Sequence, residues 1–238
     1  GSEMCIRDSM NTVSAKIMLM NGDLDEKLAY LYACPIEEAA LHRERLINAI
    51  EKFEELFGVS REISIFSAPG RTEIGGNHTD HQLGRVLAAS VNLDVVAVVS
   101  ENDSNLIRVK SEGYPQDTVD ISSLEVVEQE KNTSAALIRG MCSRFRQLGY
   151  STGGFDAYTT SNVLQGSGLS SSASFEVLLG TAMNALFCGG KETSLSIAQI
   201  SQYTENVYFG KPSGLMDQSA SSIGGFITID FENREAPR

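Results

Sequence analysis

The sequence contains no tryptophan and has little histidine and cysteine, with three and four residues respectively among 238. Its cysteines lie far apart, with no Cys-x-x-Cys pair: Cys5, Cys34, Cys142 and Cys188. This spacing argues against a disulfide framework and against a zinc site built on cysteine. We therefore expect reduced, structural thiols in a cytoplasmic protein.

Basic residues are also scarce, since 19 Lys and Arg against 31 Asp and Glu give a formal net charge of −12. An acidic chain without a basic cluster is a poor candidate for binding nucleic acid or an anionic membrane surface. No apolar run reaches the length that spans a bilayer, and the first residues lack the order of a secretory signal. We expect neither nucleic-acid nor membrane partners, although a few local donors can still hold a phosphate.

With 42% hydrophobic residues, the chain is long and apolar enough to bury the core of a globular unit. Residues 1–9 begin with Gly-Ser, which is typical of a cloning remnant, and they follow no helical or strand period. We interpret residues 1–9 as a non-native leader, with Met10 as a candidate native start.

Hydrophobic periodicity predicts a mixture of helices and strands. Apolar residues recur at three- and four-residue steps, typical of helices, in residues 24–32, 36–57, 135–148, 173–187 and 194–208. Alternating or continuous apolar runs predict strands at residues 62–68, 86–100 (one long or two shorter), 106–110, 118–121, 155–161 and 225–231. Pro69 and Gly70 are expected to end the first strand. Because strands and helices do not alternate strictly, we predict an α+β fold, a two-layer mixed sheet packed with helices.

One glycine- and serine-rich segment stands at the start of a predicted helix. Residues 166–173 read Gly-Ser-Gly-Leu-Ser-Ser-Ser-Ala. Glycines allow a tight turn and close approach to a ligand, and a helix N-terminus presents unpaired N–H groups that suit an anion. Taken alone, the segment fits a phosphate-binding loop and a Gly/Ser linker about equally well, because short glycine patterns match by chance.

Three further polar clusters accompany this loop: Arg71, the Asn-His-Thr-Asp segment at residues 77–80, and residues 213–218 with Asp217. Phosphoryl transfer needs an anion cradle, a metal ligand, a cation and often a carboxylate near the nucleophile. The clusters supply most of these parts. A zinc site at His78 and His81 fits the spacing but lacks an obvious third ligand.

Three segments together resemble galactokinases, members of the GHMP small-molecule kinase superfamily. Residues 69–80 resemble the signature Gly-Arg-Val-Asn-Leu-Ile-Gly-Glu-His-Thr-Asp-Tyr, and residues 166–173 resemble the phosphate loop Gly-x-Gly-Leu-Ser-Ser-Ser-Ala. Residues 214–218, Gly-Leu-Met-Asp-Gln, resemble the family's Gly-Ile-Met-Asp-Gln. The resemblance covers roughly residues 62–232, and three motifs in register are far more specific than any one. It implies the GHMP kinase N-terminal fold, which is ribosomal protein S5 domain 2-like.

The resemblance implies that ATP phosphorylates the anomeric hydroxyl of galactose, with Mg²⁺ present. Catalytic roles fall on Asp217 and Arg71, which would pair with each other. Sugar-binding roles fall on Asn77, His78, Asp80, Gly214 and Asp217. Nucleotide-binding roles fall on the loop residues Gly166, Ser167, Gly168, Leu169, Ser170, Ser171 and Ser172. The implied metal ligands are Ser172 and Glu205, and the alternative for Glu205 is a solvated glutamate on a helix surface.

The chain departs from the galactokinase pattern at several positions. Asn77 replaces a glutamate that accepts from the sugar's six-position hydroxyl, Glu73 replaces an asparagine, and His81 replaces a tyrosine. Since asparagine carries no charge, the change removes repulsion against a sugar carboxylate such as that of galacturonate. The alternative substrates are galacturonate, arabinose and N-acetylgalactosamine.

The chain is also short for this family, whose members continue into a second lobe. We expect residues 10–238 to form a galactokinase-like GHMP kinase N-terminal domain with the C-terminal lobe absent. Such an incomplete portion could also act as a non-catalytic fragment that binds sugar or nucleotide. The expected partners are a small-molecule sugar and ATP.

Overall fold

A computed structural model describes residues 10–76, 84–164 and 166–233, so the expected leader at residues 1–9 lies outside the described residues. The helices are α1 (Thr12–Asn21), α2 (Asp25–Tyr32), α3 (Ala39–Phe57), α4 (Ser134–Gln147), α5 (Ser171–Phe187), α6 (Ser194–Thr204) and α7 (Met216–Ile223). The strands are β1 (Met10–Asn11), β2 (Glu62–Gly75), β3 (Arg85–Asn102), β4 (Leu106–Ser111), β5 (Gln116–Asp120), β6 (Gly154–Ser161) and β7 (Phe226–Asp230). A π-helical turn, Glu205–Phe209, continues α6.

The strands form one mixed sheet in the order β1-β2-β3-β6-β4-β5, and β7 pairs with the first part of β3. Strands β4 and β6 are parallel, and the other described pairs are antiparallel. The structure thus confirms the predicted α+β class with a mixed sheet packed with helices. None of the described helices is long and apolar enough to cross a bilayer.

Residues 95–99 of strand β3 lie at the centre of the hydrophobic core, because both faces of the strand are buried there. Val95, Ala97 and Val99 pack with apolar side chains of α4, α5 and α6. Val96 and Val98 point to the opposite face, where α1, α2 and α3 cover the sheet. Burial on both faces explains why this strand reads as a continuous apolar run rather than an alternating one. Helices α1–α3 therefore add a further layer to the predicted sheet-and-helix packing.

The expectation that Pro69 and Gly70 end the first strand is wrong, because β2 continues to Gly75. The pairing with β3 shifts register between Pro69 and Arg71 and again between Glu73 and Gly75. A proline has no N–H to give to a ladder, and such irregularities are where sheets accommodate it. As a result, Arg71 lies within the sheet and not on a free loop.

Periodicity predicts neither α1 nor α7. In α1, Val13, Ile17 and Met20 are exposed while Leu19 is buried, so the apolar residues do not form one stripe. Helix α7 is short and rich in serine, and the buried hydroxyls of Ser221 and Ser222 donate to distant carbonyl groups. Both helices depend on tertiary contacts that local patterns do not contain.

Candidate active site

The glycine-rich loop lies directly against the irregular part of β2. The Arg71 backbone N–H donates to the carbonyl oxygen of Leu169 over 3.0 Å. A Cβ added to Gly70 would lie 3.1 Å from that same oxygen and 3.2 Å from the methyl groups of Val163. Glycine therefore suits this position because the two backbones approach too closely for a larger residue to fit without movement.

The carbonyl oxygen of Pro69 ties two helices to the same point. It accepts hydrogen bonds from the Ser174 hydroxyl of α5 at 2.9 Å and from the Ser221 hydroxyl of α7 at 2.7 Å. Both bonds are buried, where a lost hydrogen bond is not readily replaced by one to water. The bulge in β2, the start of α5 and helix α7 consequently form one rigid corner of the molecule.

Arg71 and Asp217 meet at this corner in a two-point ion pair. Arg71 Nε donates to Asp217 Oδ1 at 2.7 Å, and Arg71 Nη2 donates to Oδ2 at 2.9 Å. The remaining nitrogen, Nη1, donates to the carbonyl of Gly168 at 2.6 Å. The Arg71 side chain is 9% exposed and that of Asp217 is 32% exposed. The pair thus fixes the orientation of a carboxylate that a ligand can still reach.

Ser170 joins the loop to this carboxylate. Its hydroxyl donates to Asp217 Oδ2, and its backbone is left-handed with a φ of 54°. Serine rarely adopts this conformation, and such strain is held only where the surroundings impose it. The sequence motif assigns Ser170 to nucleotide binding. It does not reveal the contact with Asp217, because the two residues are 47 positions apart in the chain.

The loop leaves the N-terminus of α5 open. Gly166 and Gly168 have φ values of 76° and 77°, and no described atom lies within 4 Å of a Cβ added to either, so backbone shape rather than space favours glycine there. Ser170 is the N-cap residue of α5, but its side chain makes no capping bond, because its hydroxyl faces Asp217. Ser171 and Ser172 begin the helix, and Ser172 is exposed. Uncapped N–H groups at the start of a 17-residue helix suit an anion such as phosphate.

Glu205, the predicted metal ligand, is buried rather than solvated, with 3% of its surface exposed. Its Oε2 accepts from Gln218 Nε2 at 2.8 Å, and its Oε1 accepts from Lys211 Nζ at 3.1 Å. The described part of the chain contains no group of three or more His, Cys, Asp or Glu side chains that could hold a metal by themselves.

Glu176 is a second buried carboxyl that sequence reasoning misses. It is 1% exposed, and its Oε2 accepts from Gln218 Nε2 at 3.2 Å. Burial raises the pKa of Glu176 well above its ordinary value, and the nearby charge of Glu205 adds to this effect. A lone charged residue within the apolar run of α5, four positions after Ser172, is the signal that could have identified it.

The remaining predicted residues belong to two segments. Gly214 lies between the π-helical turn and α7, three positions before Asp217. Asn77, His78 and Asp80, to which the resemblance assigns sugar contacts, lie outside the described residues, as does His81. Their roles remain predictions from the motif.

Comparison with protein families gives two matches that agree with these motifs. The galactokinase galactose-binding signature matches residues 51–101, and the N-terminal domain of GHMP kinases matches residues 136–225. The first match contains Arg71, and the second contains the loop, Glu205 and Asp217. The matched part of the chain belongs to the GHMP kinase family.

The individual relatives that the chain matches include several galactokinases. The chain is 36% identical over 172 residues to a galactokinase of Streptomyces coelicolor, which covers 72% of the chain and 44% of that relative. It is 37% identical over 174 residues to one of Lacticaseibacillus casei and 32% identical over 174 residues to one of Bacillus subtilis, with the same coverage. The chain thus spans less than half the length of these relatives. The predicted resemblance to the N-terminal portion of galactokinases is confirmed.

Solved structures show the same relationship. The structure of Lactococcus lactis galactokinase complexed with galactose matches with a TM-score of 0.73 and 29% identity, covering 81% of this chain and 51% of that one. A D-glycero-D-manno-heptose 1-phosphate kinase from Bacteroides thetaiotaomicron matches at 0.62 and 21% identity, covering 74% and 58%. The latter similarity shows the shared fold.

Proposed function

We propose that the corner formed by Arg71, Asp217 and the glycine-rich loop is the phosphoryl-transfer centre of a galactokinase-type sugar kinase. The observation that carries this proposal is the two-point ion pair of Arg71 and Asp217, which touches the loop through Gly168 and Ser170. An oriented, reachable carboxylate beside an open helix N-terminus is the arrangement that a hydroxyl nucleophile and a phosphate donor require.

Asp217 is the group that receives the sugar in this proposal. Its carboxylate accepts a hydrogen bond from the anomeric hydroxyl and takes the proton as that oxygen bonds to the γ-phosphorus of ATP and ADP leaves. Arg71 and Ser170 hold both carboxylate oxygens in place, so the reacting geometry is prepared before the sugar binds. Uncapped N–H groups at the start of α5 bind the phosphates.

The donor set fits a magnesium ion that is shared with the nucleotide. The Ser172 hydroxyl is exposed and the Glu205 carboxylate is available at Oε1 once Lys211 moves, and both offer the hard oxygen ligands that Mg²⁺ prefers. Fewer than three acidic or histidine ligands suit Mg²⁺, because it usually keeps waters and binds substrate phosphates. When bound, the ion neutralises charge on those phosphates.

Asn77 favours a second candidate within the same enzyme class. Galactokinases have a glutamate at this place, and a neutral amide removes repulsion against a carboxylate on the sugar. Under this alternative the substrate is galacturonate, and arabinose and N-acetylgalactosamine are further candidates. Together with galactose, these sugars form the panel to be tested. The Arg71 and Asp217 chemistry is the same in either case.

Substitution of Asp217 by Asn tests the catalytic assignment. Asp217→Asn keeps the shape and one acceptor for Arg71 but cannot take a proton, so phosphorylation of the preferred sugar should fall by about 10²–10⁴-fold. Radiolabelled transfer from ATP to galactose, galacturonate, arabinose and N-acetylgalactosamine measures both the rate and the sugar preference. An unchanged rate in Asp217→Asn would show that Asp217 is not the base.

Because this chain spans less than half the length of its relatives, sugar binding has to be measured separately from phosphate transfer. Calorimetry measures the binding alone. A chain that binds galactose but transfers no phosphate is a non-catalytic sugar-binding portion. A chain that binds neither galactose nor the other three sugars contradicts the proposal.

A further inference from the structure

Three buried polar side chains next to Asp217 form a cluster, and the proposed reaction uses only one of them, Glu205, as a metal ligand. Glu176 of α5, Glu205 of the π-helical turn and Gln218 of α7 are each between 1% and 3% exposed. The Gln218 amide nitrogen donates to both carboxylates, at 3.2 Å to Glu176 Oε2 and at 2.8 Å to Glu205 Oε2. We call this arrangement the Gln218 clamp, because one amide joins three separate elements of the fold.

The two oxygens of Glu205 have different surroundings. Oε2 points to the interior and is held by Gln218, which is 1% exposed. Oε1 accepts from Lys211, whose side chain is 59% exposed and ends a long, flexible stem. Because the Glu205 side chain is only 4% exposed, departure of this ammonium is favourable only when another cation takes its place. The inner oxygen is therefore fixed, whereas the outer oxygen can exchange one cation for another.

The Gln218 amide bonds to the two glutamate side chains through its nitrogen only. Its Nε2 serves both glutamates, while the buried atoms Gln218 Oε1 and Glu176 Oε1 have no hydrogen-bond partner within the described part of the chain. Leaving such atoms unpaired is costly, and it is tolerated where the arrangement serves another purpose. Gln218 also follows Asp217 directly in α7, so the clamp links Glu205 to the proposed catalytic helix.

We propose that Gln218 is a positioning residue that holds the inner oxygen of Glu205 so that Oε1 faces a magnesium ion, and that Lys211 is the counter-ion of Oε1 until the metal arrives. This inference rests on the proposed function, because it assumes that Glu205 binds the metal of a magnesium-nucleotide complex. Gln218 itself touches neither metal nor sugar. Its effect passes entirely through Glu205.

The experiment measures ATP binding to the 238-residue chain by calorimetry, with excess Mg²⁺ and again with EDTA. The ratio of the two dissociation constants isolates the contribution of the metal. Gln218→Leu removes both hydrogen bonds at similar volume, and the magnesium-dependent ratio should fall at least about tenfold, while affinity in EDTA stays the same. Lys211→Met removes the competing ammonium from the surface, and the ratio should rise by a few-fold.

Gln202→Leu is the matched control, since the Gln202 amide donates to the Ser213 carbonyl nearby without touching either glutamate. Gln202→Leu should leave the magnesium-dependent ratio unchanged, because it removes a hydrogen bond that does not involve Glu205. The magnesium-dependent ratio should fall in Gln218→Leu and rise in Lys211→Met. The surface variant Lys211→Met therefore still tests the inference if Gln218→Leu, which alters a buried residue, folds poorly. An unchanged ratio in both variants would overturn the inference alone. Absence of any magnesium effect in the unmodified chain would overturn the proposed metal site, and the inference with it.

Discussion

Gly140 offers a sharp test of the packing that holds the candidate metal ligand. It lies within α4, where a Cβ would come 2.7 Å from Tyr208 Cγ and 2.8 Å from both Tyr208 Cβ and Thr204 Cγ2. The Tyr208 ring cannot turn aside freely, because its hydroxyl donates to the Leu124 carbonyl at 2.6 Å. Tyr208 belongs to the same π-helical turn as Glu205.

Two effects of Gly140→Ala oppose each other. Alanine is about 0.8–1 kcal/mol better than glycine in a helix interior. Forcing a methyl group into a filled interior costs about 1–3 kcal/mol, and more where the contact is with atoms near the backbone. The contacts at Gly140 are of that kind, so we expect a net loss of about 1–2 kcal/mol in the free energy of unfolding. For a chain of this size the melting temperature should then fall by about 2–8 °C.

Urea and thermal unfolding followed by circular dichroism measure this loss, since the chain has no tryptophan for fluorescence. Gly180→Ala is the matched control in α5, where a Cβ would meet Ile197 Cγ2 at 3.0 Å and the flexible Met141 sulfur at 3.5 Å. Its effect should be smaller. If Gly140→Ala were as stable as the unmodified chain, or less damaging than Gly180→Ala, the close packing of α4 on the π-helical turn would be wrong.

Three further outcomes follow from buried groups. Asp156→Ala should lower the free energy of unfolding by about 2–4 kcal/mol in urea titrations, because the fully buried carboxylate accepts hydrogen bonds from Arg61 and Arg108. The two arginines are partly exposed, which moderates the loss. A loss below about 0.5 kcal/mol would contradict this expectation. Burial raises the pKa of Glu176 above 4.5, so the native state keeps a proton that the unfolded chain releases, and stability should fall as pH rises from that value towards the native pKa. Glu176→Gln should flatten that fall in unfolding measured from pH 5 to 8, and an unaltered slope would refute the assignment. Burial raises the pKa of the Cys142 thiol to about 12, so mass spectrometry should find iodoacetamide labelling of Cys142 only on unfolding, and rapid labelling of the native protein would be inconsistent with its burial.

The parts of the site that follow a motif could be predicted from sequence. Arg71, Asp217 and the loop at residues 166–172 come from three separate segments, and the structure brings them together as the resemblance implies. The α+β class and most helices also follow from periodicity, because their apolar faces bury against one sheet.

What could not be predicted depends on contacts between distant residues. The extension of β2 past Pro69 rests on pairing with β3 and on the bond from Ser221, which is 152 positions away. The Gln218 clamp likewise joins residues 13 and 42 positions apart in a manner that no local pattern encodes. Helix α7, whose serines are buried, resembles a polar surface segment in sequence until those partners are known.

Calorimetry of galactose binding to the chain is the decisive measurement for the proposed sugar site at Asp217. We expect saturable binding of one sugar per chain for galactose, galacturonate, arabinose or N-acetylgalactosamine. Asp217→Ala should weaken that binding by about 10–150-fold, since a hydrogen bond to a charged group contributes about 1.5–3 kcal/mol. Saturable sugar binding that Asp217→Ala leaves unchanged would contradict the account, as would the absence of binding to every sugar of the panel.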